Sequence, residues 1–141
     1  MILIRLVYTS SATLRPTDSD LIALLAQARA RNVKQNITGI LLYGVGIYLQ
    51  VLEGEADDVH AVYNSILNDD RSSNHITLIE EEISQRDFPK WTMGFRNVES
   101  CSPKYLSTGF VDVFNGEWAN EFATKNSANT VNLLLSFSKN L

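Results

Sequence analysis

Ile37-Thr38-Gly39-Ile40-Leu41-Leu42-Tyr43 and Ile47-Tyr48-Leu49-Gln50-Val51-Leu52-Glu53, joined by Gly44-Val45-Gly46, decide the fold of this 141-residue chain. Both runs are short, apolar and rich in branched or aromatic residues, and glycines punctuate the gap, so they read as a buried β-hairpin. Upstream, Pro16 and Thr17-Asp18-Ser19-Asp20 form a helix start with a capping box from Thr17 to Asp20. The helix carries Leu21, Leu24, Leu25 and Ala28 at spacings of three and four, and the same stripe continued lands on Asn32. Before it, residues 2–10 alternate as a strand, with Ile2, Ile4, Leu6 and Tyr8 on one face and Leu3, Arg5 and Val7 on the other. Downstream, Glu53-Gly54-Glu55 ends the hairpin. Asp57 and Asp58 suit the first turn of a second helix, whose buried stripe is Val59, Val62, Tyr63, Ile66 and Leu67. Ile76–Ile83 and Trp91–Val98 complete the strands, with a break at Asp87-Phe88-Pro89.

The order βαββαββ predicts an α/β (α+β) ferredoxin-like sandwich, a sheet of about five strands with two helices on one face. A helical tail is expected to cover the other face. Ser102-Pro103 resembles a cap with proline at the first helical position, and residues 128–139 present Val131, Leu134, Leu135 and Phe137 at helical spacing. The stretch around 109–117 carries no assignable pattern. The expected division is 1–98 as the core and 99–141 as a helical extension packing on it.

Composition excludes several classes. Hydrophobic residues are 45% and charged residues 20% of the chain, as in a folded globular protein. The net charge of −4 argues against nucleic acid as a partner, which needs a clustered basic surface. No apolar run approaches the roughly 20 residues that span a bilayer, so no membrane partner is expected. Met1-Ile2-Leu3-Ile4-Arg5 lacks the pattern of a signal peptide. Cys101, the single cysteine, points to a reduced, cytoplasmic setting.

Enzymatic signatures are missing. His60 and His75 stand apart from one another and from any metal-ligand spacing, and read as surface histidines. There is no G-x-S-x-G, Walker loop or G-x-G-x-x-G, and Gly44 and Gly46 sit in a hairpin turn with no helix directly after. Glu80-Glu81-Glu82 reads as a solvated edge or face, and nothing near Cys101 would lower its pKa.

What remains is polar side chains in apolar company. Gln50 lies mid-strand in Tyr48-Leu49-Gln50-Val51-Leu52, and a buried glutamine must satisfy an acceptor and two donor hydrogens. Tyr8 and Asn32 pose the same problem at the ends of their elements. A flat heterocycle wedged between the helices would satisfy all three, with Leu24, Ala28 and Ile66 as apolar walls. A Tyr–Gln–Asn network closed on itself, or bridged by water, would do so equally.

Over residues 1–98 the chain resembles a BLUF domain, a blue-light sensor using flavin. The segments that carry the resemblance are Leu6-Val7-Tyr8-Thr9-Ser10, Asn36-Ile37-Thr38-Gly39-Ile40-Leu41-Leu42-Tyr43, Leu49-Gln50-Val51-Leu52-Glu53-Gly54, Asp69-Asp70-Arg71 and Phe88-Pro89-Lys90-Trp91-Thr92-Met93-Gly94-Phe95. The tail resembles the extension of short stand-alone members in length and pattern. The resemblance implies a photoreceptor rather than an enzyme, holding FAD, FMN or riboflavin, FAD foremost, without a covalent link. It implies Tyr8 as electron donor to the excited flavin, and Gln50 as the amide between that tyrosine and the ring. Asn32 would hold the pyrimidine edge, with Arg31 in a neighbouring binding position. Arg71 would lie near the ribityl or phosphate tail, with Asp69 close by. Met93 and Trp91 would carry the altered hydrogen bonding outwards to a downstream signalling protein, and a homo-oligomer is expected.

Tyr48 stands where the family often has phenylalanine, on the same side of its strand as Gln50, and reads as a volume filler. Thr92 and Ala28 stand where serine is frequent. Two readings from other classes compete: a ferredoxin-like interaction module without flavin, and a small hydrolase gripping phosphate with Arg31 or Arg71 beside Asn32.

Overall fold

A computed structural model describes residues 2–89 and 92–97 of the chain. The elements run β1 (Leu3–Ala12), α1 (Asp18–Gln35), β2 (Thr38–Gly44), β3 (Ile47–Glu55), α2 (Ala56–Leu67), β4 (Ser72–Glu82) and β5 (Gly94–Asn97). They build a five-stranded sheet in the order β4-β1-β3-β2-β5. All neighbours are antiparallel except β2 and β5, which run parallel. This is the ferredoxin-like arrangement expected from the βαββαββ order. Trp91, Val98, Cys101, the Ser102-Pro103 cap, the helix at 128–139 and the whole 99–141 extension lie outside the described residues.

The hairpin forms as its sequence dictates, with a tighter turn than three residues. Gly44 pairs with Ile47, leaving Val45 and Gly46 as the turn, at φ 48° and 77°. Positive φ at both central positions matches the twist of the flanking strands, although a β-branched residue takes it up unwillingly. Gly39 answers a different need. A Cβ there would lie 1.8 Å from the Val51 carbonyl oxygen, so only glycine lets β2 and β3 close at this point.

Helix α1 starts with the expected box. The Thr17 side chain accepts from the Asp20 amide at 3.1 Å, and the Asp20 carboxylate accepts from the Thr17 amide at 2.9 Å. It ends on Asn36 in the left-handed conformation. Leu21, Leu25, Ala28 and Asn32 are its buried stripe. Both helices pack on the same sheet face, where Ile4, Leu6, Tyr8, Leu41 and Leu52 meet Leu21, Leu25, Val59 and Val62.

Four expectations need correction. The first strand was expected to place Ile2 inward, but Ile2 is 52% exposed because β1 begins only at Leu3. Leu67, expected in the buried stripe of α2, is 43% exposed at the helix's last turn. Strand β4 starts at Ser72 rather than Ile76, since β1 offers pairing partners for the polar Ser72 and Ser73. Glu81 is not simply solvated: its carboxylate accepts from Arg5 at 2.8 Å.

Candidate functional site

Sequence alternation puts Tyr8, Ser10, Tyr48 and Gln50 on the helix-bearing face of the sheet, and the register makes Tyr8 and Gln50 direct neighbours across β1 and β3. There α1 and α2 part to leave a narrow cleft of about 60 Å³, in part open to solvent. Its floor is Tyr8, Ser10, Leu41, Tyr48 and Gln50. Leu24, Gln27, Ala28 and Arg31 of α1 form one wall; Ile66, Asp69, Arg71 and Ser72 form the other.

The floor is wired. Tyr8 Oη donates to Gln50 Oε1, and Gln50 Nε2 donates to Met93 Sδ at 3.6 Å. Tyr8, Gln50 and Met93 are only 3%, 4% and 2% exposed, so this line is shielded from water. Burial pushes the Tyr8 phenol far above its ordinary value, and the charge of Arg31 offsets only part of that. Tyr8 therefore keeps its proton at any working pH and gives it to one defined acceptor. The Tyr63 ring lies 4.9 Å from that of Tyr8, tilted by 48°. Tyr48 is pushed up to about 12, chiefly by burial, and packs on Tyr43 at 5.1 Å.

Charge is arranged at the mouth. Burial lowers the pKa of Arg31, which nonetheless stays cationic as an arginine must. Arg71 forks onto the Asp69 carboxylate at 2.5–3.1 Å. That pairing holds Asp69 below the usual carboxylate range and raises Arg71. Among the described residues, Arg31 is thus the cleft-lining cation that is not paired with a carboxylate.

Of the residues expected to hold a cofactor, Tyr8, Leu24, Ala28, Arg31, Gln50, Ile66, Asp69 and Arg71 line this cleft. Asn32 and Met93 stand one row behind. Asn32 is fully buried, its Nδ2 donating to the Thr92 carbonyl at 2.7 Å, so it ties α1 to the chain entering β5. Met93 caps the far end of Gln50. Not anticipated were Ser10, Gln27, Leu41 and Ser72. Their signals lay in register: Ser10 follows Tyr8 by two, Gln27 follows Leu24 by three, and Leu41 opposes Gln50 in the hairpin. Trp91 is outside the described residues.

The cleft's chemistry fits a flavin ring. Leu24 and Ile66 offer apolar faces, Ala28 is small enough to admit a flat ring, and Tyr8, Gln50 and Arg31 converge as a few polar groups. A second hollow of about 470 Å³, lined by Thr13, Leu14, Pro16, Asp20, Ala23 and Asp70, shares Leu24, Tyr48 and Arg71 with the first.

Comparison with known proteins gives the same answer. Residues 3–94 match the BLUF family model, described as sensors of blue light using FAD. The chain is 36% identical over 89 residues to a photoactivated adenylate cyclase subunit beta-like protein of Euglena gracilis, covering 62% of this chain and 10% of that relative. It is 33% identical over 67 residues to the blue light- and temperature-regulated antirepressor BluF of Escherichia coli strain K12, covering 48% of this chain and 17% of that protein. Among solved structures, the dark state of the BLUF protein BlrB superposes with a TM-score of 0.67 at 27% identity, covering 85% of this chain and 91% of that one. The chain spans a small part of the length of these curated relatives. With the family model covering most of the described residues and the tyrosine–glutamine floor in place, this chain belongs to the BLUF family, described as sensors of blue light using FAD.

Proposed function

We propose that the cleft between α1 and α2 binds FAD and that Tyr8 and Gln50 convert light absorption into a change at Met93. The observation that carries this is the buried line Tyr8–Gln50–Met93, in which one amide presents its acceptor end to a phenol and its donor end to a thioether. When bound, the flavin supplies blue-light absorption and an excited state that accepts an electron. Tyr8 would give that electron and pass its phenolic proton to the Gln50 oxygen it already faces, and both would come back to Tyr8 when the charges recombine. On return, the Gln50 amide is left rotated or tautomerised, with its donor and acceptor ends exchanged. Met93 then loses the N–H it receives, and the chain entering β5 is free to answer. Arg31 and Asn32 position the ring edge, and Arg71 with Asp69 attends the tail.

The second hollow supports FAD over a shorter flavin, because it continues the cleft past Arg71 and Tyr48 with room for a dinucleotide tail. In this reading residues 1–98 form the sensor, and 99–141 pass the signal to a partner protein or a second copy of the chain in the cytoplasm, without catalysis of their own. The names of the Euglena cyclase and the Escherichia antirepressor support a sensor that acts on something beyond itself. Absorption spectra before and just after blue illumination test the proposal: a flavin spectrum that shifts slightly red and returns in darkness is expected, and a protein that takes up no flavin overturns it. Tyr8→Phe should keep its flavin, fluoresce more and cycle little, and unaltered photocycling would rule out the electron-donor role.

A further inference from the structure

Strands β4 and β5 occupy opposite edges of the sheet, so the chain between them must cross β1, β3 and β2. It touches all three. The Ile83 amide donates to the Leu3 carbonyl at 2.9 Å. Asp87 accepts from Arg5 of β1, and the Asp87 and Phe88 amides both donate to the Glu53 carboxylate of β3, at 2.8–3.1 Å. Arg86 donates to Thr38 Oγ1 of β2 at 2.9 Å, to the Glu53 carbonyl at 2.9 Å and to the Asn36 carbonyl at 2.7 Å.

Glu53 is the centre of this clamp and it is fully buried. Its carboxylate also receives the Arg5 guanidinium at 2.9–3.0 Å. A buried leucine would be the cheaper occupant of a strand whose neighbours are Leu49 and Val51, so a carboxylate here asks for a reason other than stability. Only an acceptor with two oxygens can hold the arginine fork and two consecutive backbone N–H groups at once. Four residues past Phe88, behind the cleft, the Thr92 carbonyl accepts from Asn32, and Met93 receives Gln50. Glu53 and Gln50 sit on one strand, three residues apart, and so face opposite sides of the sheet.

We infer that Glu53 is a positioning residue for the photochemical site: by gripping the amides of Asp87 and Phe88 on the far face, it sets where the chain presents Met93 to Gln50. The dark-state placement of Met93 is then held from beneath the sheet, and β3 joins the amide that rearranges to the carboxylate that anchors the responding segment. The photochemical consequence rests on the flavin reading above, whereas the placement of Met93 does not.

The test uses the full chain with methyl-13C methionine, which gives two signals because the sequence holds only Met1 and Met93. Glu53→Gln keeps an oxygen for the amides and should leave the Met93 signal near its wild-type position. Glu53→Leu should move it towards the position of a free, water-exposed methionine. In the flavin-loaded protein, return of the light-induced shift in darkness should change by about tenfold in Glu53→Leu, as loss of one charge-assisted anchor implies, and by far less in Glu53→Gln. Glu53→Asp, which still neutralises Arg5 but is one methylene too short for the amides, covers the case in which the leucine variant does not fold, and should shift Met93 the same way. A folded Glu53→Leu or Glu53→Asp protein with an unmoved Met93 signal overturns the inference. A moved signal in a protein that never takes up flavin would instead sustain it while removing the photosensory reading.

Discussion

Gln50→Leu is expected to bind flavin with affinity within about tenfold of wild type and to lose its light-induced red shift entirely. Leucine fills nearly the same volume and brings no polar atom onto the floor of the cleft. The apolar walls at Leu24, Ala28 and Ile66 and the cation at Arg31 remain, so the ring keeps most of what holds it. What disappears is the one group with a donor end and an acceptor end between Tyr8 and Met93. Tyr8 can still release an electron, but no neighbouring amide is left to return reorganised. The variant also strands the Tyr8 hydroxyl, which costs about 1–3 kcal/mol for a buried donor without a partner, partly offset by the added apolar burial. Difference spectra under blue light decide the matter: a normal red shift in this variant would remove Gln50 from the mechanism.

Arg5→Ala should destabilise the fold by about 3–5 kcal/mol, the cost of leaving a buried carboxylate without its cation. Arg5 bridges Glu53, Glu81 and Asp87 from a side chain only 4% exposed. Burial already raises the Glu53 and Asp87 carboxyls above their ordinary range, and Arg5 is a main force pulling them back. Removing it raises both further. A carboxyl whose folded pKa lies above its unfolded one contributes no penalty at low pH, where both states are protonated. The penalty grows as pH rises through the ordinary carboxylate range and is complete above the folded value. Arg5→Ala should therefore lie closer to wild type at about pH 5 than at about pH 7.5 in urea unfolding. An equal deficit at both pH values would mean that Glu53 and Asp87 do not carry the loss.

Much of this architecture is written locally. The hairpin follows from two apolar runs around a glycine-bounded turn, and the start of α1 from Thr17 and Asp20, because strand pairing across a tight turn and a capping box need only neighbours in sequence. The cleft was legible for a related reason: Tyr8 and Gln50 share a face by alternation, and Leu24, Ala28 and Arg31 share one by helical spacing. Asn32 was read as a contact to the ring; that its Nδ2 also donates to the Thr92 carbonyl, 60 residues away, had no signal in the local pattern. Glu53 read as the end of a strand, and Arg5 as the polar side of an alternation. Their pairing depends on the β1–β3 register and on the path of residues 83–89, neither of which any local pattern encodes. The early start of β4 is a similar case, since Ser72 and Ser73 have no strand propensity and are held by what β1 offers them.

Strand β5 has a consequence of its own. Among the described residues it is four residues long, lies at a sheet edge and is joined only to β2, in parallel. Each of the other strands is at least seven residues long, and β1, β2 and β3 are paired on both sides. A rearranged amide can supply no more than a hydrogen bond or two of driving force, so whatever it moves must be held by little more than that. With Met93 as the responding group of the proposed function, its seat at the threshold of the shortest described strand would keep the work of signalling within reach of a single side chain, while the rest of the sheet stays out of reach.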